Sequence, residues 1–294
     1  MHIHIVTVSS GWILQKIAER IATHNPLEDV TITVGHSANP AAINYYADLQ
    51  NCYHRQKTKL DIAYFTHADR NSKEWLIALM NERNAWALDG IMSMNDRYTE
   101  MLIEIGYPKE KLITLTPGQT HDTFPLRKIK IGIVSRGDFE GYGQFFMQNF
   151  LSSYDCANFE FSFLGNGWEH LLPIAEAKGI NIKLQGDIDY SVYPKFYQTV
   201  DYLLIPGLWT AGPMSMQEAL STGTPVIGAN IGFVNYEFEA DYVFEPNDVA
   251  GLSGIFDGLQ APLLKRREQV SFMNWSEFTV GLINFIKRMG ENKI

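Results

Sequence analysis

Cysteine is nearly absent: the 294-residue chain has two, Cys52 and Cys156, far apart in sequence. That excludes a disulfide scaffold and suits a reduced, intracellular protein. Runs of like charge are missing, so disorder is not expected beyond the termini. No apolar run approaches the ~18 residues of a membrane span, so none is expected. The opening MHIHIVTVSSGW has no basic stretch before a long apolar one. It reads as a first strand rather than a signal peptide, and a cytoplasmic location is expected. Cys-x-x-Cys, His-Glu-x-x-His, Walker A and Gly-x-Ser-x-Gly patterns are all lacking. Structural zinc, zinc protease, P-loop and serine hydrolase chemistry are thereby disfavoured.

What is present is ordinary globular material, 46% hydrophobic and 19% charged. The length suggests two domains. The net charge of -9 disfavours passive adhesion to nucleic acid or anionic membrane. Lys128, Lys130 and the trio Lys265, Arg266 and Arg267 are candidates for a local basic patch, and a solvated face accounts for them. His2 and His4 share one face of the first strand, an arrangement for packing rather than for a metal.

Apolar β-rich runs alternate with helical periodicity from the start. Strands are predicted at 2–8, 29–35, 60–66, 89–93 and 111–115, and helices at 12–24, 72–83 and 96–105. In the first helix Ile13, Leu14, Ile17 and Ile21 mark one face. Residues 40–58 read as helix and loop. The turn-rich 117–128 (PGQTHDTFPLRK) reads as a linker. The pattern restarts with strands at 129–134, 159–164, 181–185, 201–205 and 225–228, the last closing the sheet. Helices fall near 141–152, 168–178, 191–199 and 213–222, with a final one near 275–289. This predicts an α/β protein of two Rossmann-like domains facing a cleft, with ligands beyond the carboxyl ends of the strands. The boundaries read as 1–124 for the first domain and 125–274 for the second. Aromatics such as Trp168, Trp209, Tyr190 and Tyr193 are expected mostly in cores, some stacking on sugar or base.

Residues 163–228 carry a specific ordered set. A strand ends in Gly165 and Gly167, and the next in Gly186. Asp201 opens a strand that ends at Pro206. A helix then starts at Gly212 and Pro213, with Glu218 and Ala219 inside it and Gly223, Pro225, Val226 and Ile227 after it. From about Ile129 to Trp275 the chain resembles the nucleotide-sugar glycosyltransferases of the GT-B fold, most closely the retaining group 1 enzymes of family 4. The first half matches more loosely: SSGWILQKIAERI, His67 in FTHAD and PGQTHDTF stand where that family keeps its Gly-rich loop, a histidine and its linker.

The resemblance implies a nucleotide-binding second domain, an acceptor-side first domain, and a last helix, about 275–294, that crosses back to the first. Ala211, Gly212, Pro213, Met214 and Ser215 are then diphosphate and sugar contacts at a helix start, where unpaired amides attract anions. Glu218 would take a ribose diol. Asp187 and Ile188 lie where members contact the base. Gly165 and Gly11 join the donor residues. Arg136 would neutralise the departing diphosphate. His67 would touch the sugar, or be a structural histidine satisfied by a carbonyl. Asp69 and Arg70 would act on the acceptor or cap a helix, and Ser9 and Ser10 would hold an anion or acceptor or serve as a plain N-cap.

Two departures stand out. The Lys usual five or six residues after the arginine is replaced by Gly141 and Tyr142, and the first Glu of the Glu-x7-Glu motif by Thr210. Threonine still hydrogen bonds a hydroxyl but carries no charge. The expected activity is retaining transfer of a sugar from a nucleotide diphosphate sugar to a hydroxyl acceptor, with no metal or other cofactor. His67, Arg136 and Thr210 are the catalytic candidates. The rival is a catalytically idle GT-B protein that binds a nucleotide-sugar or a protein partner. An epimerase would need paired carboxylates at the sugar, and none is placed for it.

Overall fold

Apolar runs flanked by helical segments leave little choice of layer. Strands that are apolar on both faces must be covered on both, which parallel sheets with crossover helices achieve. The computed structural model describes residues 1–7, 13–54, 60–66, 72–118, 124–186, 188–270 and 274–291. It divides into two compact units, Met1–Phe124 with Glu268–Ile294, and Pro125–Arg267. No helix among the described residues is long and apolar enough to cross a membrane.

The first unit holds β1 (His2–Val6), α1 (Ile13–Thr23), β2 (Thr31–Gly35), β3 (Ile43–Tyr46), β4 (Asp61–Phe65), α2 (Lys73–Glu82), β5 (Gly90–Ser93), α3 (Asp96–Glu104) and β6 (Leu112–Thr114). Its sheet runs β2-β1-β3-β4-β5-β6, all parallel, the flavodoxin-like version of a doubly wound order. Strand β3 corrects the reading of 40–58 as helix and loop. It is only four residues long, and its Asn44 is fully buried, which weakens the strand signal. The Asn44 amide exchanges hydrogen bonds with the Asn39 backbone at 2.8 and 3.1 Å, so burial leaves it satisfied. Ser72 and Asn95 cap α2 and α3, accepting from the Trp75 and Tyr98 amides.

The second unit holds β7 (Ile129–Val134), α4 (Gln144–Ser153), β8 (Phe159–Leu164), α5 (Leu172–Lys178), β9 (Asn181–Gln185), α6 (Tyr193–Thr199), β10 (Tyr202–Ile205), α7 (Met214–Ser221), β11 (Val226–Ala229), β12 (Tyr242–Phe244) and most of α8 (Val249–Glu268). Its parallel order is β12-β11-β10-β7-β8-β9. The sheet does not close with β11, as expected, because three further residues form the edge strand β12. Asp201 ties the start of β10 to β7: it accepts from the Lys130 amide at 2.9 Å and from the Arg127 guanidinium. Lys178 donates to three carbonyls, those of Leu151, Ser152 and Tyr154, at the end of α4.

The last helix, α9 (Trp275–Glu291), belongs to the first unit. Trp275, Phe278, Leu282, Phe285, Ile286 and Met289 recur at helical spacing and are all buried in one core with Ile3, Ile5 and α1. The expected return of this helix is thus observed.

His2 and His4 do pack, through a hydrogen-bonded chain. The Ser37 carbonyl can only accept, so His4 Nε2 donates to it at 3.0 Å. In the neutral ring Nδ1 then accepts from Thr33 Oγ1 at 2.8 Å, and Thr33 accepts from His2 Nε2 at 2.9 Å. Burial lowers the His4 pKa, and the neighbouring His2 adds to it. The unfolded chain therefore binds this proton more readily than the folded one. The stability it reflects is complete above the ordinary value of 6.5 and is lost as pH falls below it. The urea midpoint is expected to drop between about pH 7.5 and about pH 5, and the drop to shrink in His4→Gln. Equal drops in both proteins would clear His4 of the effect.

Candidate functional site

Where strand order reverses in a doubly wound sheet, the connections part and leave a crevice beyond the carboxyl ends. In the second unit that place lies between β7 and β10. A cleft of about 420 Å³ occupies it, lined by Ser135 and Arg136 beyond β7 and by Ile205, Pro206 and Gly207 at the end of β10.

The loop after β7 is moulded from behind. Gly165 has φ +126°, and a side chain there would stand 2.2 Å from the Ser135 carbonyl oxygen. Its own amide donates to the Gln185 carbonyl at 2.8 Å. Trp168, fully buried, donates its indole N–H to the same Ser135 carbonyl at 2.9 Å. Gly165 therefore lies behind the cleft wall and shapes the loop bearing Arg136. The Arg136 guanidinium forks onto Asp138, with Nε to Oδ1 at 3.0 Å and Nη2 to Oδ2 at 2.8 Å. The hydrogen bond from Arg136 holds the Asp138 carboxyl below its usual range. Ser135 Oγ, also at the cleft wall, is buried without a hydrogen-bond partner.

Opposite stands the start of α7. Unlike α2 and α3 it has no side-chain cap, and Pro213 occupies the cap position. Its first-turn amides lie where Gly212, Pro213, Met214 and Ser215 line the cleft. Thr210 lines it as well, and Gly212 sits against the Phe233 ring. Glu218, one turn further, borders both this cleft and an adjoining recess of about 340 Å³ walled by Tyr190, Tyr193, Tyr197 and Pro194. The Tyr190 and Tyr193 rings lie 4.9 Å apart. The carboxylate accepts from the Tyr190 hydroxyl at 2.7 Å and the Tyr197 hydroxyl at 2.5 Å.

The structure thus gathers Arg136, Thr210, Gly212, Pro213, Met214, Ser215 and Glu218 around one cleft. It leaves Gly165, Ile188 and Ala211 off its lining; Ile188 packs on the core and Ala211 is exposed. Ser9, Ser10, Gly11, His67, Asp69, Arg70 and Asp187 lie outside the described residues. The sequence reading missed Ser135 and Tyr197; it had Tyr142 only as a residue in the lysine's place, and Tyr190 only as an aromatic that could stack on sugar or base. Spacing was the available signal for the tyrosines, since positions 190 and 197 fall two helical turns apart. The missing lysine has a steric reason at one of its two positions. A side chain on Gly141 would stand 2.5 Å from the Phe139 ring and 2.8 Å from Trp209 Nε1. Tyr142 lines the cleft in its stead. Among the described residues no three His, Cys, Asp or Glu gather into a metal-binding group.

An arginine, an uncapped helix start and a carboxylate thus meet at the switch point of a doubly wound sheet, the place where open α/β sheets bind ligands. Residues 129–257 match the family model described as glycosyl transferases group 1. No curated protein matches the chain. Among solved structures, Anabaena Alr3699/HepE in complex with UDP-glucose is similar over 99% of both chains, at 12% identity and a TM-score of 0.40. A glycosyltransferase from Rickettsia africae ESF-5 is similar over 99% of this chain and 96% of its own, at 13% identity and 0.40. Sucrose-phosphate synthase from Thermosynechococcus elongatus is similar over 98% of both, at 11% and 0.41.

Proposed function

We propose that the chain is a retaining, metal-independent glycosyltransferase that moves a sugar from a nucleoside diphosphate sugar to a hydroxyl acceptor. One observation carries this reading: a single cleft brings together a cation, an uncapped helix start and a carboxylate in the order a nucleotide-sugar needs. The diphosphate lies between Arg136 and the amides of Met214 and Ser215. Glu218 takes the ribose hydroxyls, and the base enters the tyrosine-walled recess beyond it. Ser135 Oγ and Thr210 meet oxygens of the phosphate or the sugar. In the reaction the anomeric carbon–phosphate oxygen bond breaks and the acceptor oxygen bonds to that carbon on the same face. The acceptor proton passes to the departing diphosphate, so no protein nucleophile is required.

Titration with ADP, CDP, GDP and UDP tests the donor site. Hydrogen bonds to a charged group contribute about 1.5–3 kcal/mol, so Glu218→Ala is expected to weaken the best binder by about 10- to 100-fold. An unchanged dissociation constant would remove Glu218 from the ribose site. Thr210, standing where the family keeps Glu, and Gly141 and Tyr142, standing where it usually places a Lys, support a second reading of an idle binding protein. Tight binding without turnover of any nucleotide-sugar would favour it.

A further inference from the structure

Glu218 is held by two tyrosines, Tyr190 on the lining of both the cleft and the adjoining recess and Tyr197 in the recess alone. Tyr190 opens a 3-10 turn, Tyr190–Val192, that runs directly into α6, which carries Tyr197. Each hydroxyl donates to a different oxygen of the carboxylate. Tyr197 is 1% exposed, and its carbonyl accepts from Thr224 Oγ1 at 3.1 Å, so ring and backbone are both anchored. Tyr190 is 65% exposed. Burial first, and the hydrogen bond to Glu218 second, push the Tyr197 hydroxyl far above its usual pKa. It therefore remains a donor at any working pH.

We propose that Tyr197 and Tyr190 are positioning residues for the donor, fixing the Glu218 carboxylate so that one remaining lone pair on each oxygen meets the ribose diol. The inference rests on the ribose reading of Glu218. A carboxylate oxygen accepts about two hydrogen bonds, and each tyrosine takes one, leaving one on each side. A vicinal diol presents two donors at fixed separation, so it needs both acceptors aimed together. An untethered glutamate on a helix surface would sample several rotamers and lose that freedom on binding. The tyrosines remove it beforehand, which is how preorganisation raises affinity. Nothing in the packing of α6 on the sheet requires the Tyr190 hydroxyl, which lies at the surface. Its direction onto Oε1 is explained by the carboxylate it orients.

The test uses the full chain, the tightest of ADP, CDP, GDP and UDP, and the 2′,3′-dideoxy form of that nucleotide. Tyr197→Phe is expected to bind the ribonucleotide about tenfold more weakly than wild type, and Tyr190→Phe about threefold more weakly. Both variants should bind the dideoxy form as wild type does, because the diol that the carboxylate serves is missing. Loss of affinity for both nucleotides alike would assign the tyrosines to base or fold and overturn the inference. Wild-type affinity for the ribonucleotide in both variants would overturn it too. Should Tyr197→Phe fail to fold, the exposed Tyr190→Phe carries the same comparison. If Glu218→Ala weakens binding and the tyrosine variants do not, the positioning role alone fails. If Glu218→Ala also binds normally, the ribose reading falls with it.

Discussion

Arg136→Ala is expected to slow sugar transfer by about 100-fold or more while changing nucleoside affinity by only a few-fold. Arg136 is the one cationic side chain among the described residues that line the cleft. Charge grows on the diphosphate as its bond to the sugar breaks, so a guanidinium fixed beside it gains more in the transition state than in the ground state. Asp138 holds the guanidinium in a two-point fork, so little reorganisation is needed when that charge appears. With Tyr142 in place of a lysine, no second cation among the described lining residues shares the load. The measurement is kcat with saturating donor, alongside the affinity for the nucleoside alone. An unchanged rate would take Arg136 out of the site.

Gly143→Ala should cost about 2–5 kcal/mol, a large part of the 5–15 kcal/mol that holds a typical domain together. Gly143 has φ +88°, a left-handed conformation that costs other residues about 1–2 kcal/mol. The added carbon would also stand 2.0 Å from the carbonyl oxygen of buried Pro206. Backbone on both sides is pinned: Gly143 O accepts the Met147 amide that begins α4, and the Leu208 amide donates to Gly141 O at 2.9 Å. One of the two connections must move, at the about 1–3 kcal/mol typical of overpacking. Gly254→Ala in α8 is the control, since nothing lies within 4 Å of its added carbon and helix propensity favours it. A loss under about 1 kcal/mol in urea unfolding of Gly143→Ala would show that these connections yield easily.

Much of this was legible in the chain itself because it rests on local pattern. Alternating apolar runs placed nearly every strand, and the Gly-Pro start of α7 with Glu218 one turn on placed one wall of the cleft. What stayed hidden depends on partners distant in sequence. Strand β3 is short and carries Asn44, whose burial is tolerated only because Asn39 meets its amide. Gly165 looks like a ligand contact in a G-x-G turn, yet its close approach is to Ser135. The tyrosines on Glu218 could not be paired with it from sequence, because the contact joins two helices separated by β10.

Helix α9 has a consequence for the order in which the protein is made. The second unit lies wholly inside the sequence of the first, whose core needs Phe278, Leu282 and Ile286. During synthesis the part begun first is therefore completed last. As the chain leaves the ribosome, one face of the first sheet waits with α1 but without α9 while the later unit assembles, and it is in that interval that the nascent protein is most exposed to misassociation.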